Sequence, residues 1–345
     1  MSKKIVKIRN IALGNEKVYI QSMLNLPSGD IEGNVNQAKR LEAVGCEIIR
    51  VSIPDIADVK LIPAIKNSVS MPVVADIHFD YRIALESVKA GADKIRINPG
   101  NIGDKDRVKA IVEACKTVGI PIRIGVNCGS VEKDLLLKHG GPNANALAEG
   151  ALRQISFLND LGFDDIVVSV KASDVKTNIA ANRILSAETP YPIHIGVTEA
   201  GTERMGLIKS AVGIGSLLCD GIGDTIRVSL TADPEREIYA AKDILKAAGI
   251  LKSGAEIISC PTCGRTKIDV VKLASQVEDA LKDIEKSIKI AVMGCAVNGP
   301  GEAREADYGI AGGEGEGIIF KKGKVIKKVP EKKVLFELMN LVDKD

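Results

Sequence analysis

Two hydrophobic rhythms alternate along the first 250 residues of the chain. Short β-branched runs recur in order: VYIQSM, EIIRVSI, PVVADI, KIRINP, PIRIGV, DIVVSV, PIHIGV and TIRVSL. Between them lie longer stretches with apolar residues three and four apart, such as DYRIALESVKAGA and DPEREIYAAKDILKAAG. The first rhythm predicts strands and the second amphipathic helices. Helix ends are expected at Gly45, Gly91, Gly119, Gly162 and Gly249, since glycine adopts the left-handed turn that stops a helix. Eight strand–helix units in this length predict a TIM (β/α)8 barrel. An open doubly wound sheet gives no account of eight units. No G-x-G-x-x-G opens a helix after the first strand, so a dinucleotide site is not indicated.

Inside the strands a finer alternation appears. In KIRIN, Ile95 and Ile97 alternate with Lys94, Arg96 and Asn98. In PIRIGVN, Ile122, Ile124 and Val126 alternate with Arg123 and Asn127. Arg50 pairs with Ser52, Ser169 with Lys171, His194 with Thr198, and Arg227 with Ser229 in the same way. Alternate side chains leave a strand on opposite faces. The apolar set must meet the helices, so the polar set points to the barrel axis, where Val, Ile and Leu normally pack. Arg50, Arg96, Arg123, Lys171 and Arg227 are costly there unless anions meet them. Internal carboxylates such as Asp76 and Glu199 are one source of that charge. A ligand with two phosphate groups is the other and the preferred one, with Arg supplying planar forks and Lys a point charge. Asn98, Asn127, Ser169 and Ser229 would add neutral hydrogen bonds, and Asp76 is placed with the binding set. His78 and His194 fall at strand ends, near the C-terminal face where barrel enzymes keep their sites.

The last 95 residues read differently. A helix (IDVVKLASQVEDALKDI), an apolar strand (IKIAVMGC), two further strand-like runs (GIIFKKG, KVIKKVP) and a closing helix (EKKVLFELMNLV) predict a small α+β domain. The chain therefore divides into a substrate-binding barrel, residues 1–250, and a second domain, 251–345. The GIAGGEGEG stretch reads as a flexible turn, for it lacks the Lys and following helix of a phosphate loop. This domain carries SCPTCGR and MGCAVNGPGEA, placing Cys260, Cys263 and Cys295 together without a fourth cysteine. Structural zinc wants four Cys or His ligands, and no histidine follows His194. An iron–sulfur cubane tolerates a non-cysteine ligand on one iron, and Glu302 is the nearest carboxylate after the NGPG turn. The spacing favours iron–sulfur over zinc. Cys46, Cys115 and Cys219 are expected as buried fillers, and Cys128 as a packing residue beside the pocket.

Net charge is +2, aromatics are 3% and Trp is absent, which argues against a nucleic-acid partner. The N-terminus has no apolar core of a signal peptide, and no run suits a membrane helix. A cytoplasmic protein with seven cysteines as thiols or metal ligands is expected.

CPTCGR, MGCAVNGPGEA and HIGVTEAG, with RINPGNIG and RIGVNCGS, closely resemble the 4-hydroxy-3-methylbut-2-enyl diphosphate synthase family of the non-mevalonate isoprenoid pathway, in its short bacterial form. The resemblance implies reductive ring opening and dehydroxylation of 2-C-methyl-D-erythritol 2,4-cyclodiphosphate. Two electrons would arrive through a 4Fe-4S cluster from flavodoxin or ferredoxin. It implies Cys260, Cys263, Cys295 and Glu302 as cluster ligands and Glu199 as the acidic residue that handles a proton, with His194 beside it. Arg50, Arg96, Asn98, Arg123, Asn127, Lys171, His194 and Arg227 match the family's substrate contacts. The alternative is a barrel transferase or aldolase on a phosphorylated substrate, with a structural zinc module. A non-enzymatic interaction protein leaves the inward polar residues unexplained.

The eighth helix runs about 24 Å back to the face opposite the strand ends. The segment Ile250–Ser259 reaches about 33 Å when fully extended. Capping a partner's barrel in a two-fold homodimer, with the active site shared between chains, is easier than capping its own.

Overall fold

The computed structural model describes residues 3–282, 284, 286–295, 301 and 304–343. The chain forms two compact units, Met1–Ile250 and Leu251–Asp345.

In the first unit, eight parallel strands follow one another: β3 (Tyr19–Met23), β4 (Ile48–Ser52), β5 (Val73–Asp76), β6 (Lys94–Ile97), β7 (Ile122–Asn127), β8 (Ile166–Lys171), β9 (His194–Ile195) and β10 (Thr225–Ile226). Their spatial order is β8-β7-β6-β5-β4-β3-β10-β9, and a parallel bridge from Val168 to Ile193 closes the ring. All eight predicted strands are present, and the TIM barrel stands. Helices lie between them, including α1 (Ile31–Ala43), α3 (Tyr81–Lys89), α5 (Lys105–Val118), α7 (Ala144–Asp160), α8 (Val175–Glu188), α9 (Glu203–Cys219) and α10 (Pro234–Ala247). Most begin at an Asp or Asn whose side chain accepts a free backbone N–H, as Asp30, Asp80, Asp104, Asn143, Asp174 and Asp233 do. The five glycines expected to stop helices all have positive φ.

A hairpin that the hydrophobic pattern does not announce precedes the barrel. Two short strands, β1 (Val6–Ile8) and β2 (Ile11–Leu13), pair antiparallel. Val6, Ile8, Ile11 and Leu13 pack on Tyr19, Ile48, Val74 and Val167, the inward residues at the N-terminal ends of the strands. The hairpin thus plugs the bottom of the barrel with apolar side chains, leaving the upper interior to polar ones.

The second unit is a five-stranded sheet in the order β11-β12-β13-β14-β15. β11 (Ala255–Ser259), β12 (Ile288–Met293) and β13 (Tyr308–Gly312) run parallel. β14 (Glu316–Lys321) and β15 (Lys324–Pro330) complete the sheet antiparallel. α11 (Val270–Leu281) and α12 (Val334–Val342) cover one face, their Val277, Leu281, Val334 and Leu338 meeting Ile290, Val292 and Ile310. The stretch read as a flexible turn is here a buried central strand, β13, followed by the turn into β14. Its glycines serve close packing: a side chain on Gly312 would place Cβ 2.6 Å from the Gly294 carbonyl oxygen.

Candidate active site

Strand pairing sets the cations side by side. Arg50 pairs with Val74, which pairs with Lys94; Asp76 pairs with Arg96, which pairs with Arg123. Gly125 pairs with Ser169, and Asn127 with Lys171. Partners in register share a face, so all of these point into the barrel. A cavity of about 130 Å³ opens among Arg50, Arg96, Arg123, Lys171 and Arg227, with Gly125, Asn127, Ser169, Thr198 and Ser229 completing its wall. That exceeds one water's share of roughly 30 Å³ several-fold. Two roomier hollows, of about 450 and 470 Å³, lie elsewhere on this unit, but each mixes acidic and basic side chains. Only the smaller one converges charge of a single sign.

Two carboxylates hold part of that charge. Asp76, fully buried, accepts from Arg50 Nη2 at 2.5 Å and from Arg96 Nη1 at 3.1 Å. Burial opposes its ionisation, but Arg50, Arg96 and His78 outweigh that and keep its carboxyl well below the usual carboxylate range. Glu237, on α10, lies 3.6 Å from Arg227 Nε and also accepts from the Leu230 amide at 3.0 Å. Among the described residues Arg123 has no such partner. It is 2% exposed, and its Nε and Nη1 find no acceptor among the described residues. Burial and the nearby Arg50 and Arg96 both press against its charge. A guanidinium does not shed its proton in proteins, so a positive charge remains in the cavity without a counter-ion among the described residues.

His194 lies beneath this cavity. It is wholly buried, with Nε2 3.1 Å from Lys171 Nζ and Nδ1 2.8 Å from Thr225 Oγ1. Burial, then Lys171 and Arg123, hold the ring neutral, so Nε2 is free to accept from the Lys171 amine. Asn98 is buried at the start of the short helix α4 (Pro99–Ile102), off the cavity wall. Asp76 is likewise off the wall, where it holds Arg50 and Arg96. His78 is half-exposed, 3.5 Å from Asp76 Oδ2. Glu199 is exposed, follows the wall residue Thr198, and has φ 52°, a left-handed backbone rare for a non-glycine residue.

Strand alternation does not reveal every contributor to the cavity. Gly125 and Gly196 create room: a Cβ on Gly125 would lie 2.7 Å from Arg96 Nε, and one on Gly196 2.8 Å from Lys171 Nζ. Glu237 sits on a helix, outside the strand alternation that revealed the cations. Its signal was an acidic residue on the otherwise apolar inner face of α10.

In the second unit, Cys260 follows β11 and Cys295 follows β12. These strands are parallel neighbours, so both cysteines leave the same end of the sheet. The Gly294 amide donates to Cys260 Sγ at 3.1 Å. Cys263 is exposed, and hydrogen bonds from Arg265, backbone first and then side chain, lower its thiol from the usual value. All three are free thiols. Among the described residues no three Cys, His, Asp or Glu side chains are gathered closely enough to hold a metal. Glu302 lies outside the described residues. The soft donor set on adjacent loops, one sulfur already accepting an amide N–H, fits a thiolate-held iron cluster. Cys46 and Cys115 are buried as expected, and burial pushes both thiols up to about 12. Cys219 is instead exposed, at the end of α9.

A (β/α)8 barrel whose interior cavity is lined by five cations, followed along the chain by an α+β unit bearing three free thiols, defines a two-domain protein of the TIM-barrel class. The GcpE TIM-barrel domain matches residues 3–242, and the GcpE protein C-terminal domain matches 256–344. The chain belongs to the GcpE family. It is 56% identical over 340 residues to a 4-hydroxy-3-methylbut-2-en-1-yl diphosphate synthase (flavodoxin) of Caldanaerobacter subterraneus, covering 98% of this chain and 96% of that protein. The synthase of the same name from Clostridium perfringens is 55% identical, with 98% and 97% covered. The fold also resembles dihydropteroate synthase of Yersinia pestis, at TM-score 0.52 and 15% identity over 71% of this chain and 98% of that one. No described helix is long and apolar enough to cross a membrane.

Proposed function

We infer that the protein is an oxidoreductase of isoprenoid biosynthesis. It opens the ring of 2-C-methyl-D-erythritol 2,4-cyclodiphosphate and removes one hydroxyl as water, giving 4-hydroxy-3-methylbut-2-enyl diphosphate. The observation that carries this reading is the convergence of Arg50, Arg96, Arg123, Lys171 and Arg227 on one cavity, in a family whose relatives bear that synthase name.

Two phosphoryl groups in a single ring match a wall of forked and point cations. Arg123, with donors to spare, and Lys171 grip them. Asn127, Ser169 and Ser229 add hydrogen bonds, with Asn98 in support. Asp76 acts through Arg50 and Arg96, and His194 through Lys171. As the ring carbon–oxygen bond breaks, charge grows on the departing diphosphate oxygen, and the same cations stabilise it. Glu199 moves the proton that lets the hydroxyl leave as water, its backbone strain holding the carboxyl in place. Cys260, Cys263 and Cys295 would hold a 4Fe-4S cluster, with Glu302 as the fourth ligand. When bound, such a cluster supplies two electrons one at a time. Flavodoxin, named for the relatives, is the proposed donor, with ferredoxin as the substitute.

We place the protein in the cytoplasm, where its cysteines stay reduced, and as a homodimer. The dimer is supported by α9, whose Met205, Leu207, Ile208 and Val212 are all exposed. An apolar stripe of this kind on a barrel helix suits a second copy of itself.

The test is anaerobic purification with iron and sulfide analysis, followed by reduction of the cyclodiphosphate. A brown protein with iron and sulfide in equal amounts and turnover supports the reading. A colourless zinc protein that leaves the ring intact overturns it and favours a transferase.

A further inference from the structure

Among the described residues, Lys94 is the interior cation with neither a carboxylate partner nor a place on the cavity wall. Its side chain is fully buried, and Nζ has no hydrogen-bond partner among the described residues. It precedes Arg96 by two residues on β6, so both point inward, with Lys94 one step deeper. Its register partner is Val74, part of the apolar floor.

The groups that face it come from every neighbouring element. Arg50 (β4), Arg96 (β6), Arg123 (β7), Lys171 (β8), His194 (β9) and Arg227, directly after β10, surround the same interior. Asp76 (β5) and Glu237 (α10) are the carboxylates, and both are committed: Asp76 to Arg50 and Arg96, Glu237 to Arg227. β3 contributes Gln21, a buried amide with neither end partnered among the described residues. Burial, then Arg123 and Arg50, push the Lys94 amine toward its neutral form. The arginines cannot release a proton to relieve this crowding, but a lysine can.

We propose that Lys94 is a proton acceptor linked to anion binding, uncharged while the cavity is empty and taking one proton from solvent when a cyclic diphosphate settles among the arginines. This rests on the cavity being the diphosphate site. The incoming dianion reverses the field that opposed an ammonium, so anion and proton favour one another reciprocally. Lys94 is more basic in the occupied state than in the empty one. Affinity is therefore highest on the acid side and falls as pH rises through the occupied-state value. Lys94 is a positioning residue: it adds charge beneath the leaving diphosphate without touching it.

Calorimetric titration of the intact, unreduced protein with the cyclodiphosphate, in buffers of different ionisation enthalpy, counts the protons exchanged. Each ring phosphoryl group has a single acidic oxygen, ionised throughout neutral pH, so the ligand contributes none. Wild type should take up about one proton per molecule bound near pH 8. Lys94→Met should lose at least half of that uptake and flatten the pH dependence of binding. Lys94→Arg, with its fixed charge, should lose the uptake as well, and decides the matter if the Met variant does not fold. Binding by wild type without proton uptake overturns the proposal. So does uptake unchanged in a folded Lys94 variant, which assigns the proton to the other buried bases of the interior, Lys171 and His194. Absence of any binding overturns the diphosphate reading itself.

Discussion

Asp76 sits between Arg50 and Arg96 with no solvent access, and its ionisation is what makes their proximity tolerable. Its folded value lies below the unfolded one, so its contribution is complete above about pH 4 and is lost as pH falls through the lower folded value. Asp76→Asn should cost about 3–5 kcal/mol near neutrality, as for a broken buried ion pair. Denaturant unfolding at several pH values should show that gap constant down to about pH 4 and closing only in stronger acid. Gly125→Ala tests the cavity from the other direction. Its Cβ would meet the Arg96 guanidinium at 2.7–2.8 Å and turn it away from the ligand. Losing one charge-assisted hydrogen bond of about 1.5–3 kcal/mol should raise KM roughly 10- to 100-fold while the protein stays folded. An unchanged KM removes Arg96 from the grip. The cations themselves were legible because strand alternation assigns a face to every second residue. Gly125, Gly196 and Glu237 were not, since their roles depend on what closes over them from other elements.

At the scale of elements, legibility followed the strength of the local pattern. The eight barrel strands carry β-branched residues in short runs or at every second position, and all eight are readable. The β1–β2 hairpin was not, because its four apolar residues are spread through polar ones and gain meaning only against the barrel floor. β13 was hidden by its composition: small residues needed for tight packing look like a turn when read in one dimension. On α9, the periodicity marks an inner face (Gly206, Ser210, Gly213, Ile214, Leu217) but leaves a second apolar stripe facing outward. If that stripe joins two copies, Ile208→Asp places a charge in the contact at a position 47% exposed in the single chain, where folding is not at risk. Sedimentation should then show a dimer for wild type and a monomer for the variant. A variant that stays dimeric at the same concentration places the contact elsewhere.

Across the whole molecule, the groups proposed to grip the substrate and those proposed to hold the electron-delivering cluster belong to different compact units. Every residue of the cavity wall falls within Met1–Ile250, whereas Cys260, Cys263 and Cys295 fall within Leu251–Asp345. Each unit has its own apolar core, so damage at one site need not unfold the other. Cys295→Ala removes a thiolate from the end of β12 and leaves the barrel cations in place. The variant should lose iron and sulfide together, and turnover with them, because no side chain here performs a two-electron reduction. Calorimetric binding of the cyclodiphosphate should stay within about threefold of wild type, under the 1 kcal/mol that separates a bystander from a ligand-gripping residue. Arg123→Ala should do the reverse, keeping iron and sulfide but weakening binding by about 1.5–3 kcal/mol. If Cys295→Ala abolishes binding as well, the thiol unit takes part in holding the ring, and substrate recognition is not confined to the barrel.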